Sequence, residues 1–223
     1  MSHQRQLVQA AVGFRVKSGW AATVLLVGPL QSPHVLDRRL IDLSDPAVPE
    51  TRQPYHAAMG RLEEDDARVT ARLEVIQRVT NGSVTELLKD YRDTGCEVCG
   101  AALVVGSQID PASIKNAHIR AHALEGRLFR TVLEDAVRSC GLPCSIVLER
   151  DAYSKATSAL ARSEDNLKRA VSGLGRWLDG PWRADEKMSA LAAWMALSLA
   201  DAEGGSTGWG LKSRADTSQA AKP

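Results

Sequence analysis

The chain has 223 residues, 44% of them hydrophobic, which is enough for a substantial core in one large domain. Its 28 lysines and arginines nearly balance its 27 aspartates and glutamates, and this balance excludes long-range attraction of nucleic acid or of an anionic membrane. Any binding of nucleic acid must therefore depend on a local basic patch.

The amino terminus and the longest apolar run bear on location. The opening MSHQRQLVQA lacks the charged region and the small-residue cleavage site of a signal peptide. The apolar stretch at 189–200 is too short to span a bilayer. We therefore expect a cytoplasmic protein with no membrane role, and its four cysteines are compatible with a reducing compartment.

The first predicted elements are three short β-rich runs at 8–16, 20–27 and 34–43. Only a few turn-like residues separate them, and connections this short join antiparallel neighbours. The pattern therefore predicts a three-stranded meander. A loop rich in proline and aspartate at 44–54 ends this part of the chain.

A helical pattern covers residues 56–91, where apolar residues recur at three- and four-residue intervals among many charges. Asn81-Gly82 interrupts the pattern. Directly after it, Ser83 and Glu86 have the spacing of a capping box, which starts helices. The pattern predicts two helices in this region.

Two short runs at 101–105 and 144–148 fit strands that are buried on both faces. A helix is predicted between them, at 111–139. Strand, helix and strand form a βαβ unit, so these strands should be parallel with a right-handed crossover. Further helices are predicted at 152–160, 163–178 and 183–202.

No linker rich in proline, glycine or serine divides the middle of the chain. We therefore expect a single domain at 8–202, preceded by a flexible amino terminus at 1–7. The residues at 203–223 are small and polar without an apolar period, and we expect a disordered tail there.

Three local motifs add to this order of elements. VGFR at 12–15 is followed by SGWA at 18–21, the long helix at 121–141 contains an LEGR run, and ADEKMSALA occupies 184–192. Together they resemble RuvC-type Holliday-junction resolvases of the ribonuclease H-like superfamily, over residues 8–202. The resemblance implies an α/β fold with a mixed five-stranded sheet, made of the antiparallel meander and the parallel βαβ unit and flanked by helices.

The resemblance also implies carboxylates that this chain largely lacks. Enzymes of that family use three or four acids to hold two divalent ions, and Mg²⁺ requires oxygen ligands in near-octahedral geometry. The matching positions here are Arg15, Gly106, Glu186 and Ser189. A cation at Arg15 repels a metal ion, so we expect a degenerate site and a non-catalytic protein.

Other carboxylates could form a displaced site for Mg²⁺ at the same edge of the sheet. The candidate catalytic residues of such an active nuclease are Asp110, Glu149, Asp185 and Glu186. Alternatively, these are ordinary solvated acids at strand ends and helix caps. Three of them within metal-ligand distance would favour the enzyme.

A basic group suggests anion binding instead. Arg15, Lys17 and Ser18 come at the end of the first strand, and open α/β sheets commonly bind ligands at such ends. A guanidinium can hold a phosphate through two hydrogen bonds without a metal. The resemblance adds Lys155, which falls close to a lysine that the family uses near DNA. Alternatively, Arg15 pairs with an acid of the last helix, Asp185 or Glu186.

Cysteines and histidines offer other metal ligands. Cys96 and Cys99 have the CxxCG form of a zinc knuckle, and Cys140 and Cys144 form a second, wider pair. Four thiolates could hold a structural Zn²⁺, or the cysteines could remain unligated thiols, which are common in cores.

His118 and His122 are four residues apart on a predicted helix, with Glu125 on the same face. An HxxxH pair can bind a metal, but it lacks the adjacent glutamate of the HExxH motif. We favour a solvated or core-edge position for both histidines.

Three functions fit these patterns. The leading hypothesis is a non-catalytic ribonuclease H-like module that binds DNA, RNA or a protein partner. The alternatives are a metal-dependent nuclease with displaced carboxylates and an interaction protein with no nucleic-acid role. Because related resolvases act as dimers, the resemblance also implies a homodimer.

Overall fold

The computed structural model describes residues 7–57 and 61–204. Five strands form one sheet in the order β3-β2-β1-β4-β5. Strands β1, β2 and β3 are antiparallel neighbours, whereas β4 is parallel to β1 and to β5. The strands are β1 (Val8–Lys17), β2 (Trp20–Val27), β3 (His34–Asp42), β4 (Cys96–Val105) and β5 (Cys144–Leu148). The predicted mixed five-stranded sheet is confirmed.

Helices cover both faces of the sheet. One face packs against α1 and α2, and the other packs against α5 together with α3 and α4. Strands β1 and β2 are buried almost throughout because they are covered on both sides. The helices are α1 (Asp66–Asp93), α2 (Ala117–Ser139), α3 (Ala152–Leu160), α4 (Glu164–Leu174) and α5 (Ala184–Gly204).

Helix α5 lies directly on β1 because Gly13 has no side chain. A Cβ at Gly13 would overlap the backbone carbonyl of Ser189 and would lie 2.5 Å from the backbone nitrogen of Ala193. The Ser189 hydroxyl donates to the carbonyl of Ala22 at 2.9 Å, which fixes α5 to β2 as well. This close approach brings the first turn of α5 to the carboxyl end of β1.

Helix α1 is continuous, so the prediction of two helices was wrong. Asn81-Gly82 lies on its exposed side, while Thr80 and Val84 continue the buried face across this position. Ser83 caps no helix, and its hydroxyl instead donates to the backbone carbonyl of Asp42 at 2.8 Å. Packing of a continuous apolar face against the sheet overrides the local helix-breaking signal.

Helix α1 also begins later than predicted. Its amino-terminal cap is Asp65, whose carboxylate accepts hydrogen bonds from two backbone amides of the first turn. The preceding segment is irregular and includes an antiparallel bridge between His56 and Leu62. Similarly, α2 begins after its cap Asn116 rather than at Pro111.

The last helix extends beyond the expected end of the domain at residue 202. Residues 203–204 continue α5 instead of starting the tail. The rest of that tail, and the expected flexible amino terminus apart from Leu7, lie outside the described residues. Among the helices in the described ranges, none combines the length and the apolar character needed to cross a membrane.

Candidate functional site

Arg15 lies near the carboxyl end of β1, and its guanidinium is buried against two acids. Its Nη2 lies 2.5 Å from Oε2 of Glu149, which follows β5, and its Nε lies 3.8 Å from Oδ1 of Asp185 in the first turn of α5. Its Nη1 donates to the carbonyls of Val16 and Val104, at 3.2 and 3.4 Å. The Arg15 side chain is only 6% exposed, so these contacts fix its position.

Lys17 completes this group of charges, because its Nζ lies 2.9 Å from Oδ1 of Asp185. Two cations, Arg15 and Lys17, thus face two carboxylates, Glu149 and Asp185. We call these four residues the Arg15 network. The pairing of Arg15 with Asp185 is the one that the sequence suggested as an alternative to anion binding. The guanidinium occupies the space between the acids, and the charges of the network balance.

Glu186 is not part of the Arg15 network. Its carboxylate accepts from the backbone amide of Arg183 at 2.8 Å, and it lies 3.7 Å from Nη1 of Arg38. It therefore caps the start of α5 and faces the β3 side of the sheet.

The remaining candidate acid does not join the network either. The carboxylate of Asp110 accepts from the backbone amide of Ala112 at 3.1 Å, as the cap of a short helical turn. Within residues 7–57 and 61–204, no three carboxylates come within metal-ligand distance of one another. Of the four candidate catalytic acids, Glu149 and Asp185 meet at Arg15, whereas Asp110 and Glu186 lie elsewhere. The described residues therefore do not bring three of these acids together.

A cavity of about 290 Å³ opens beside the Arg15 network, between the ends of β1 and β4 and one side of α2. We call it the basic cavity, because the described residues of its wall include four cationic ones and no acidic one. Arg127 and Arg130 of α2 form no ion pair with any carboxylate in the described part of the chain. Its lining residues are Arg15, Val16, Lys17, Ser18, Val105, Gly106, Ser107, Ile109, His122, Ala123, Gly126, Arg127, Phe129 and Arg130.

The two arginines of α2 give the basic cavity its net charge. The charges of Arg15 and Lys17 are balanced within the Arg15 network, whereas those of Arg127 and Arg130 are not. Unbalanced cations in a cleft raise the local concentration of anions. Sequence reasoning missed both residues, although their spacing of three places them on one face of a helix.

The predicted anion-binding residues are only partly brought together. Arg15, Lys17 and Ser18 line the basic cavity, whereas Lys155 is exposed on α3 and is not among the lining residues. The Arg15 guanidinium is already engaged by Glu149. The anion-binding role of these residues stays a prediction.

The four cysteines do not form the suggested zinc knuckle, because CEVCG is part of strand β4. Cys96 belongs to the core beneath α1 and α2, while the thiol of Cys99 donates to the carbonyl of Ala10 and packs on the α5 side. Cys140 is exposed, and burial raises the pKa of Cys144 to about 12, which keeps its thiol protonated. No group of three potential ligands found in the described ranges includes a cysteine.

The histidines behave differently. His118 and His122 share one face of α2, as predicted, and a third histidine joins them: His56, from the irregular segment before α1. Sequence reasoning placed His56 at the start of a helix and did not connect it with the other two.

Comparison with solved structures identifies the fold. RuvC of Thermus thermophilus in complex with a Holliday junction substrate aligns with a TM-score of 0.50 and 13% identity, over 88% of this chain and 96% of RuvC. A second structure of Thermus thermophilus RuvC aligns with a TM-score of 0.50 and 12% identity, over 88% and 97% of the two chains. No protein-family model and no curated protein sequence matches the chain. The expected ribonuclease H-like, RuvC-like fold is confirmed.

Proposed function

We propose that this protein is a non-catalytic ribonuclease H-like module that binds nucleic acid through the basic cavity. The observation that carries the proposal is the wall of that cavity, in which the described residues supply four cationic side chains and no carboxylate. It lies at the carboxyl ends of the central parallel strands, where open α/β sheets commonly bind their ligands.

The Arg15 network supports the non-catalytic part of the proposal. Two-metal hydrolysis requires acids that are free to hold divalent ions. Here Glu149 and Asp185 are engaged by Arg15 and Lys17. A divalent ion at this place would meet a buried guanidinium, and like charges at such short distance repel strongly.

The free cations and hydroxyls of the basic cavity support nucleic acid as the ligand. Arg127 and Arg130 are available for charge-assisted hydrogen bonds to phosphate oxygens, and Ser18 and Ser107 add hydroxyl donors in the same wall. The RuvC structure in the comparison contains a Holliday junction substrate, so a four-way DNA junction is a suitable first probe. Duplex DNA and single-stranded RNA are the further probes.

The test is fluorescence anisotropy with these three probes over a range of salt concentrations. The double variant Arg127→Gln/Arg130→Gln removes the two unbalanced charges. The control Arg78→Gln/Arg92→Gln removes two exposed arginines of α1 that form no ion pair with a described residue. Each phosphate contact contributes about 0.9 to the slope of log K against log salt. We therefore expect the first variant to reduce that slope by about 1.8 on duplex DNA and the control to leave it unchanged.

Three results would count against the proposal. Equal affinities and slopes of the two double variants would exclude the basic cavity as the binding site. Absence of salt-dependent binding to all three probes would favour a protein partner instead. Cleavage of the junction in Mg²⁺ or Mn²⁺ would overturn the non-catalytic assignment.

A further inference from the structure

We propose that His56, His118 and His122 bind one first-row transition-metal ion, with Glu125 as the residue that positions His56. We call these four residues the histidine site. The proposal is independent of nucleic-acid binding, because it depends on a different set of side chains.

The three imidazoles already have the spacing of a metal site. One ring nitrogen from each histidine lies within 4.8 Å of the others, and Nε2 of His118 lies 3.3 Å from Nε2 of His122. Two nitrogens that each lie 2.0–2.1 Å from a tetrahedral Zn²⁺ are about 3.3 Å apart. The two α2 nitrogens form a hydrogen bond with each other, and their separation also equals that of two ligands of one ion.

Separate elements bring the histidines together. His118 and His122 occupy successive turns of α2, and His56 comes from the segment before α1. That segment is fixed by its bridge to Leu62 and by Arg72, whose Nη1 donates to the carbonyl of Pro54 at 2.8 Å. A bound ion would connect this segment to α2.

Glu125 holds the His56 ring by a hydrogen bond and lies beside the His122 ring. Its Oε1 accepts from Nδ1 of His56 at 2.6 Å, and its Oε2 lies 3.4 Å from Nδ1 of His122. A proton on Nδ1 of His56 leaves the lone pair of its Nε2 free. In metal sites a carboxylate commonly holds the second nitrogen of a ligating histidine in this way, which sets the tautomer and the ring orientation.

Two buried atoms of the histidine site lack a hydrogen-bond partner. Nε2 of His56 and Oε2 of Glu125 are two of the three such side-chain atoms found in the described ranges. The His56 side chain is 9% exposed. A buried polar atom without a partner costs free energy, and coordination of an ion would satisfy the His56 nitrogen.

The charge of Glu125 supports a cation as the ligand. Its side chain is completely buried, and its ion-pair partners among the described residues are histidines, with no arginine or lysine. A buried carboxylate is unfavourable unless a positive charge compensates it. A divalent ion on the neighbouring imidazoles supplies that charge.

The ligand set indicates the class of metal. Imidazole ligands suit Zn²⁺ and its first-row neighbours, whereas Mg²⁺ and Ca²⁺ prefer oxygen. Three protein ligands leave one tetrahedral position open, as in catalytic rather than structural zinc sites. His122 also lines the basic cavity, so water or an anion from that cavity could fill the open position.

The experiment is titration of the full, untagged chain with Zn²⁺ and Co²⁺ after chelator treatment, in a reducing buffer. The variants His118→Gln and His122→Gln change exposed side chains and should fold. We expect the wild type to bind one equivalent of metal. Each variant loses a ligand, so its affinity should fall by at least about 100-fold, the largest loss that removal of an outer-shell partner typically causes. His34→Gln, at an exposed histidine of β3, and Cys140→Ser are the controls and should bind like the wild type.

Glu125→Gln tests the positioning role, because it keeps the shape of the side chain and removes its charge. We expect a 10–100-fold weaker affinity and a shifted visible spectrum of bound Co²⁺. Loss of an outer-shell partner should change both, whereas a merely structural role would change neither once circular dichroism shows a folded chain. A wild type that binds no equivalent of either metal overturns the proposal. So does binding that both histidine variants retain, or binding that Cys140→Ser abolishes.

Discussion

The Arg15 network and the histidine site both contain acidic side chains near the basic cavity, but they compensate those acids in opposite ways. In the Arg15 network, Glu149 and Asp185 are 46% and 33% exposed and are paired with cations of the chain itself. In the histidine site, Glu125 is fully buried, and none of its ion-pair partners among the described residues is an arginine or lysine. In the Arg15 network the positive and negative charges balance. In the histidine site the negative charge of Glu125 is balanced only when a cation is added.

This difference predicts which of the two sites binds a metal ion. An ion at the Arg15 network would have to displace a buried guanidinium that four hydrogen-bond or ion-pair contacts hold. An ion at the histidine site would displace nothing comparable and would satisfy the His56 nitrogen. We therefore expect a metal ion to bind at the histidines of α2 and His56 rather than at Glu149 and Asp185.

The largest loss of stability should come from Gly13→Ala. This substitution disturbs the packing of α5 on β1, which places Asp185 in the Arg15 network. The added Cβ would overlap backbone atoms of α5, which flexible side chains cannot relieve. We expect the free energy of unfolding to fall by about 4 kcal/mol or more, a value reserved for severe defects. Urea denaturation measures it.

Gly82→Ala is the matched control for that substitution. A Cβ at Gly82 meets nothing within 4 Å, and alanine favours a helix by up to about 1 kcal/mol over glycine. We expect a small stabilisation. Equal unfolding curves for the two variants would refute the close approach of α5 to β1, on which the placement of Asp185 depends.

The next effect should come from Arg15→Asp, which converts the Arg15 network into a group of carboxylates. Three acids would then share one place with only Lys17 to balance them. We expect the free energy of unfolding to fall by about 3 kcal/mol. Removal of one partner of a buried ion pair typically costs about 3–5 kcal/mol, and here the acids are partly exposed. Millimolar Mg²⁺ should restore part of that loss, because three neighbouring carboxylates can hold a divalent ion, whereas the two that remain without Asp at position 15 cannot.

Urea denaturation with and without Mg²⁺ measures both parts. Arg15→Met, which removes the charge without adding an acid, is the control and should gain no stability from Mg²⁺. If Mg²⁺ stabilises neither variant, the acids do not converge on the position of Arg15. The description of the Arg15 network would then be wrong.

The strands and the order of elements could be predicted because burial leaves a direct trace in the sequence. β5 has the predicted bounds residue for residue, although it is the edge strand of the sheet and only Cys144 and Val147 are buried. β4 begins five residues earlier than predicted, at Cys96, because Gly100 does not interrupt the strand. Local breakers were also misleading in α1, where packing on the sheet outweighs Asn81-Gly82.

The sites could be predicted only where one element carries them. His118 and His122 share a face of one helix, and that much followed from their spacing. The position of His56 could not be predicted, because an irregular segment has no periodicity that indicates the direction of its side chains. Likewise Glu149 was named as an acid at the sheet edge, but its pairing with Arg15 depends on the neighbouring positions of β1, β4 and β5.

The smallest effect concerns the cysteines, the other class of metal donor. Burial, and secondarily the nearby charge of Glu134, raise the pKa of Cys144 from its ordinary value of 9.0 to about 12. Only the thiolate reacts with alkylating agents. We therefore expect iodoacetamide at pH 8 to modify the exposed Cys140 first and to leave Cys144 unmodified in the folded chain, as mass spectrometry of the digested protein would show.

The same raised pKa predicts how stability depends on pH. Between about pH 9 and pH 12 the unfolded chain loses the Cys144 proton while the folded chain keeps it, so the unfolded state is favoured as the pH rises. The free energy of unfolding should fall by at most about 1.4 kcal/mol per pH unit in this window, and Cys144→Ala should remove that contribution. A Cys144 that reacts as fast as Cys140 at pH 8 would place an accessible thiolate at the start of β5. Thiolate would then compete with imidazole as the metal donor, and the contrast between the two sites would no longer decide where a metal binds.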